Sequence, residues 1–262
     1  MKRRPGQRGP NAPSGLDAVY GVHAVRALLA RGEAPRELWV QDGNAGARLA
    51  ELLDEARRLG TRVQFQPRES LDALAQGAAH QGVVAFCPPL SAEGEDSLWL
   101  RLNGWTKEAP PLLLILDGVT DVHNFGACLR SADAAGVDGV IVPKDKAAPL
   151  NATVRKVACG AAESVPVYQV TNLARAMGKL KEHGVWITGT AGEANASVFD
   201  GDFNGPCALV MGAEGKGMRR LTREACDTLV KLPMVGSVSS LNVSVATGIC
   251  LFEALRQRQL AS

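Results

Sequence analysis

Along the first third of the chain the apolar positions switch between two periods. In YGVHAVRALLARG, Val22, Val25, Leu28 and Leu29 fall on one helical face, and RELWV then reads as a strand. LAELLDEARRLG predicts an amphipathic helix ending at Gly60, TRVQF a strand, ESLDALAQGAA a helix and QGVVAFC a closing strand. These cycles predict a small α/β domain over residues 16–90. Residues 91–110, SAEGEDSLWLRLNGWTKEAP, lose the period and mix Gly, Ser, Pro and acidic residues around Leu98, Leu100 and Leu102. A linker that packs locally in part is expected there.

A second domain, residues 111–262, opens with PLLLILD, a continuous apolar run of the kind a strand covered on both faces requires. GVIVP, SVPVYQV, GVWITGT, PCALVMG and DTLVKLP predict further strands, with helical segments between most of them. The expected fold class is therefore α/β, with a largely parallel sheet covered on both sides. The final stretch, SSLNVSVATGICLFEALRQR, is helical in spacing, and Val245, Ile249, Phe252 and Leu255 share an apolar face. Gly248 inside it either costs about 1 kcal/mol relative to Ala or permits a close helix contact.

Composition narrows the class. A chain of 262 residues can bury one substantial core and a smaller one, and 46% hydrophobic with 21% charged residues describes a globular interior rather than a disordered chain. Even the run LLLIL meets Asp117 after a short stretch, well below the roughly 18 residues of a membrane span, so no membrane partner is expected. The net charge of +2 is only a small tilt toward nucleic acid. Residues 1–15, MKRRPGQRGPNAPSG, carry Lys2, Arg3, Arg4 and Arg8 without an acidic partner. They read as a basic disordered arm that meets phosphates, or as a solubilising tail, and they have no apolar core of a secretory leader. Six widely spaced cysteines show neither CxxC nor zinc-ligand spacing, which predicts reduced core residues, no metal and a cytoplasmic protein.

Ligands of an open α/β sheet gather beyond the carboxyl ends of its strands, and three loops there collect glycines and polar groups. The first, DGVTDVHNFGACLRSADAAG, places Asn124 to cap a helix and Arg130 nearly two turns on, where it either reaches a phosphate or hydroxyl or is solvated. Asp117 and Asp121 suit turns, and His123 reads as a loop histidine more readily than a proton-transfer group. The second, MGAEGKGMRR, holds Gly212, Gly215 and Gly217 around Glu214. It is a ligand-binding turn or a plain strand-to-helix turn, and Glu214 can meet a hydroxyl or fix Arg130. GAEGKG matches neither the Walker A loop nor the dinucleotide fingerprint. The third, PMVGSVSSLNVSVATG, sets Ser239, Ser240 and Asn242 at a helix start, and capping accounts for only one of them.

At these residues the chain resembles the SpoU branch of the knotted SPOUT RNA methyltransferases. The matching stretches are LDGVTDVHNFGACLRSADAAGVDGVIVPKD, NATVRKVACGAAESVPVYQVTNLARAM, LVMGAEGKGMRRLTREACD and LPMVGSVSSLNVSVATGICLFEALRQR, which together cover most of residues 112–258. YGVHAVRALL and QGVVA are similar to the small RNA-binding domain of that family, which itself resembles ribosomal protein L30e.

The resemblance implies a deep trefoil knot, S-adenosyl-L-methionine bound in a bent form, and a homodimer with active sites at the subunit interface. The implied reaction is 2′-O-methylation of a guanosine ribose in the P loop of the peptidyl-transferase region of 23S ribosomal RNA, on free RNA or on a ribosomal assembly intermediate. A transfer-RNA guanosine 2′-O-methyltransferase is the nearest alternative, and an RNA-binding protein with a vestigial cofactor pocket a more distant one. Carried over by motif, Gly212, Leu232 and Leu241 supply a backbone cradle for the cofactor, with Gly189 and Thr190 near its adenosine portion. Asn124, Arg130, Glu214, Ser240 and Asn242 are the polar catalytic set, Arg130 reaching the site associated with the partner chain. One departure stands out: the family has Pro before His-Asn where this chain has Val122, which predicts a less rigid loop.

Overall fold

A computed structural model describes residues 13–32, 34–43, 47–75, 77, 79–106 and 109–261, so residues 1–12 of the expected basic arm lie outside the described residues. The chain divides into two units, residues 1–90 and 91–262. The first contains β1 (Asp17–Tyr20), α1 (Val22–Ala30), β2 (Glu37–Gln41), α2 (Ala47–Arg58), β3 (Arg62–Gln66), α3 (Arg68–Ala75) and β4 (Val83–Cys87). Its sheet runs β1-β4-β2-β3, with β2 and β3 parallel and β4 antiparallel to both its neighbours. All five residues of β4 are buried, as an inner strand with cover on both sides requires. Val25, Leu28 and Leu29 of α1 pack with Leu52 on one face, and Trp39, Leu71 and Phe86 cluster on the other. Strand β1 escapes sequence reading because DAVY offers one buried residue, Val19, and no alternation to detect.

The second unit begins earlier than the sequence suggests. Residues 91–110 contain helix α4 (Glu95–Leu102), whose Leu98 and Leu102 are buried with Leu113, Tyr168 and Val170. Glu93 also joins the backbone of residues 167–169, accepting from Gln169 at 2.7 Å and donating to Val167 at 2.8 Å. The expected linker is therefore anchored to the core through Leu98 and Leu102. There follow β5 (Leu112–Asp117), α5 (Val122–Ala134), β6 (Gly139–Pro143), α6 (Ala152–Ala158), α7 (Ala161–Ser164), β7 (Val167–Val170), α8 (Leu173–Glu182), β8 (Trp186–Thr190), β9 (Ala196–Ser197), β10 (Cys207–Gly212), α9 (Arg220–Glu224), β11 (Thr228–Lys231) and α10 (Val243–Ala261). The seven strands are ordered β7-β6-β5-β10-β8-β11-β9 and every neighbouring pair is parallel. Strand β5, LLLILD, lies inside the sheet and is wholly buried, so its carboxyl end opens where polar loops can gather.

The last helix has the predicted period but buries the opposite side. Val243, Thr247, Cys250, Leu251 and Ala254 are buried, whereas Val245, Ile249 and Phe252 are 51%, 36% and 50% exposed. Thr247 Oγ1 meets Cys128 Sγ at 3.5 Å, which ties α10 to α5. A Cβ on Gly248 would meet Ser131 Oγ at 3.5 Å, ordinary contact, so close approach does not demand this glycine. At the far end Arg258 donates to the carbonyls of Pro110, Pro111, Phe203 and Gly205. Burial pushes the Cys128 thiol up to about 11 and that of Cys250 to about 12, so both stay protonated at neutral pH. None of the six cysteines is bridged, and Cys159 departs from the core expectation by being exposed.

Candidate active site

Each of the three loops starts from the carboxyl end of a parallel strand. In the first, Asp121 caps α5: its Oδ1 accepts from the Asn124 amide at 2.8 Å. The expected cap, Asn124, is thereby released from capping and sits in the first turn of the helix. Val122 is the first residue of α5, a position whose N–H has no partner within the helix, so Pro and Val serve it alike in the helix's own hydrogen bonding. The loop is held by its cap, which the sequence reading of Val122 did not include.

The second loop is a closed turn. Ala213 N–H donates to the Gly217 carbonyl at 3.1 Å and Gly217 N–H to the Ala213 carbonyl at 2.8 Å, while Gly215 and Gly217 take φ of +72° and +66°. A Cβ on Gly212 would lie 2.2 Å from Gly217 C and Met218 N, so the chain itself requires glycine there. Behind this turn Asp117, fully buried, accepts from Arg219 twice. Asp117 is thus the buried last residue of a strand, paired with a half-exposed arginine, not a turn residue.

The third loop ends at Asn242, whose Oδ1 accepts from the Ser244 N–H at 2.9 Å and from its hydroxyl at 2.6 Å at the start of α10. Its Nδ2 donates to Asn124 Oδ1 at 2.9 Å, and Asn124 Nδ2 donates in turn to Glu214 Oε2 at 3.3 Å. The Asn124 amide therefore joins residues 90 and 118 positions away, using its acceptor for one and its donor for the other. Glu214 is engaged by Asn124 rather than by Arg130. Arg130 lies exposed, nearly two turns farther along α5, with Nη1 3.7 Å from Sγ of Cys159, which takes the left-handed conformation at the end of α6.

Beside this chain of hydrogen bonds is an open cleft of about 520 Å³, lined by Thr190, Gly212, Glu214, Leu232, Ser240 and Leu241 among others. Asn124, Asn242 and Arg130 do not line it, and neither does Gly189. A Cβ on Gly189 would come within 3.0 Å of Cys226, Met218 and Leu229, so its missing side chain serves internal packing. The Thr190 hydroxyl donates to the Val210 carbonyl at 3.0 Å and pins the cleft floor. Sequence reading missed a fourth segment, residues 191–193 after β8: Glu193 lines the cleft and forms an ion pair with Arg223, which lines it too. The signal was available, since Gly192-Glu193 follows the end of a predicted strand just as the other loops do.

Among the described residues no group of three or more His, Cys, Asp and Glu side chains is placed to hold a metal ion, and no helix is long and apolar enough to cross a membrane.

Comparison with known proteins gives concordant matches. Residues 111–252 match the SpoU rRNA Methylase family, and residues 18–92 match the family described as RNA 2′-O ribose methyltransferase substrate binding. The chain is 57% identical to the 23S rRNA (guanosine-2′-O-)-methyltransferase RlmB of Shewanella oneidensis over 93% of its own length and 98% of the relative's. It is 58% identical to the protein of the same name from Pseudomonas aeruginosa, over 92% and 97%. Among solved structures it is similar to the SpoU methyltransferase AviRb of Streptomyces viridochromogenes in complex with AdoMet. The TM-score is 0.75 at 28% identity, covering 94% of this chain and 92% of the other.

Proposed function

The chain belongs to the SpoU rRNA methylase family, and on that premise we propose that it transfers a methyl group from S-adenosyl-L-methionine to the ribose 2′-hydroxyl of a guanosine in 23S ribosomal RNA. The observation that carries the reading is a cleft walled by the second and third loops, to both of which the first loop is joined through the Asn124 amide. The cleft suits the cofactor: its volume falls in the range of small-molecule sites, roughly 300–1,000 Å³. Its walls combine peptide groups of the Gly212–Gly217 turn with the apolar side chains of Met211, Leu232 and Val243. S-adenosyl-L-methionine supplies, when bound, a methyl group on a sulfonium. Gly212, Leu232 and Leu241 would hold it largely through backbone, with Thr190 at its adenosine side.

The chain's own part is alignment and charge. Methyl transfer needs the oxygen nucleophile in line with the departing sulfur, and rigid loop ends supply that alignment more cheaply than mobile ones. Asn124, Glu214, Ser240 and Asn242 form the polar rim that orients the ribose. Arg130 stabilises the alkoxide as it develops, because a charged guanidinium has no lone pair with which to take a proton.

Finer features follow the same reading. Residues 16–90 form the RNA-binding unit, related to ribosomal protein L30e, supported by the mixed four-stranded sheet and by the substrate-binding family it matches. A deep trefoil knot is supported by the path of the last segment, which leaves β11, is tied to Asn124 at Asn242 and packs α10 on α5. A homodimer is supported by the exposed row Val245, Ile249 and Phe252, an apolar stripe on an otherwise packed helix. The target would be the P loop of the peptidyl-transferase region, on free RNA or an assembly intermediate, in the cytoplasm.

The test is incubation of the purified protein with radiolabelled cofactor and, separately, 23S RNA spanning that loop and transfer RNA, followed by nuclease digestion. Labelled 2′-O-methylguanosine from the ribosomal RNA is expected. Label in transfer RNA alone would move the substrate, and cofactor binding without transfer to either would leave an RNA-binding protein.

A further inference from the structure

Asp117 and Arg219 belong to none of the groups placed above at cofactor or ribose, yet they fix both ends of the second loop, which carries Gly212 and Glu214. Asp117 pairs in register with Gly212 on β10, so its side chain stands on the rung from which the second loop departs. From there it collects the same loop where it returns: Oδ2 accepts from the Arg219 N–H at 2.8 Å and Oδ1 from Arg219 Nε at 2.5 Å. The turn between, with its paired Ala213 and Gly217, is thus fixed at both ends by one strand position. Asp117 is fully buried and cannot touch a substrate, while the Arg219 side chain is 42% exposed. A carboxylate is costly to bury unless it is paired, and here both oxygens are engaged by one residue of the loop.

We propose that Asp117, acting through Arg219, is a positioning residue for methyl transfer: it sets where the second loop presents Glu214 to Asn124 and how that loop walls the cleft. This rests on the reading of the cleft as the cofactor site. Asp117 is the better choice for such a task than a surface ion pair, because a pair anchored inside the sheet is screened little by salt and has few alternative rotamers.

The test is a double-mutant cycle of Asp117→Asn, Arg219→Ala and the two together in the full chain. It is read as cofactor affinity by calorimetry, single-turnover transfer to 23S RNA, and hydrogen exchange over residues 213–219. Asp117→Asn takes the charge and one acceptor from the latch, and Arg219→Ala takes the Nε donor. We expect about tenfold slower transfer, weaker cofactor binding and faster exchange in the loop, with the pair no worse than either single change. In a Glu214→Ala background, with cofactor saturating, the effect of Arg219→Ala on transfer should shrink to less than about twofold, since the loop then has no side chain to present to Asn124; a merely structural residue would cost as much in either background.

Additive losses, unchanged exchange and transfer, or an undiminished loss in the Glu214→Ala background would overturn the proposal. If Asp117→Asn fails to fold, Arg219→Lys decides the case through the same exchange and transfer measurements, because it keeps a cation for the buried carboxylate while removing the planar Nε donor. Wild-type protein that neither binds the cofactor nor methylates RNA would refute the proposed function, and the exchange measurement would still judge the latch.

Discussion

Changing Asn124 to Asp keeps the shape of the side chain and replaces its donor by a second acceptor. The oxygen facing Asn242 still accepts, so the bond to the third loop survives. The atom facing Glu214 becomes a carboxylate oxygen opposed to another at the 3.3 Å separation of the wild-type bond. Two unit charges at that distance repel by about 1.3 kcal/mol in water and about 5 kcal/mol at an effective dielectric constant of 20. The pair is exposed, which places the effect toward the lower figure, and we take about 2 kcal/mol, roughly thirtyfold. Folding should not suffer, because an acidic residue in the first turn of a helix is favoured by the helix dipole.

The expected signature is that Asn124→Asp is worse than Asn124→Ala, which loses two hydrogen bonds but adds no repulsion. Glu214→Gln should rescue it: the amide introduced in the second loop can donate to the new carboxylate and restore the bond with its polarity reversed. Cofactor affinity by calorimetry and single-turnover transfer are measured for the two single changes and the pair. Lower pH should also relieve Asn124→Asp and not Asn124→Ala, since the opposed carboxylates then share a proton and the repulsion is lost. Equal defects for Asn124→Asp and Asn124→Ala, or no coupling between Asn124→Asp and Glu214→Gln, would refute the role of this amide as the joint between loops.

Arg130→Ala should leave folding and cofactor affinity nearly unchanged and slow single-turnover transfer at least about 100-fold, equivalent to about 2.7 kcal/mol; near wild-type transfer would return Arg130 to the solvated surface. Gly212→Ala should lower stability by about 3 kcal/mol, read as a fall in the urea midpoint, together with cofactor affinity, because its Cβ would strike the backbone at 217–218; a stable variant defective only in binding would make Gly212 a ligand contact instead. Phe252→Asp should leave the chain folded and shift sedimentation to the monomer, since the residue is half exposed in the single chain.

How legible this was depends on the range of the interaction concerned. LLLILD announced the inner strand because burial on both faces leaves no polar position, a property local to the residues. The three loops were legible for the same reason, since Gly, Asn and Ser clusters after apolar runs are local patterns. The joint between them was not: Asn124 meets Glu214 and Asn242 only once the sheet has set β5 beside β10 and the last segment has returned to α5. Asp121 took the cap because it precedes the first helical residue, while Asn124 had the better-known company in sequence. In residues 91–110 the acidic and glycine content hid a two-turn helix whose only core residues are Leu98 and Leu102.

The last helix shows why period cannot choose a face. Val243, Thr247, Cys250, Leu251 and Ala254 repeat at helical spacing, and so do Val245, Ile249 and Phe252 on another side. A helix that must cover one core reads as a single stripe; two stripes mean two surfaces to cover. Within the chain the first stripe is claimed by α5, through Thr247 and Cys128. The second has no cover among the described residues of this chain, yet it begins only three residues after Asn242 in the polar joint. An apolar partner seated on that stripe would stand close to the loops proposed to hold the cofactor. Assembly and catalysis would then be coupled through the first turn of α10: a substitution such as Phe252→Asp, far from the reacting atoms, should lower transfer in step with the loss of dimer. Transfer that is independent of protein concentration through the dissociation range would separate the two.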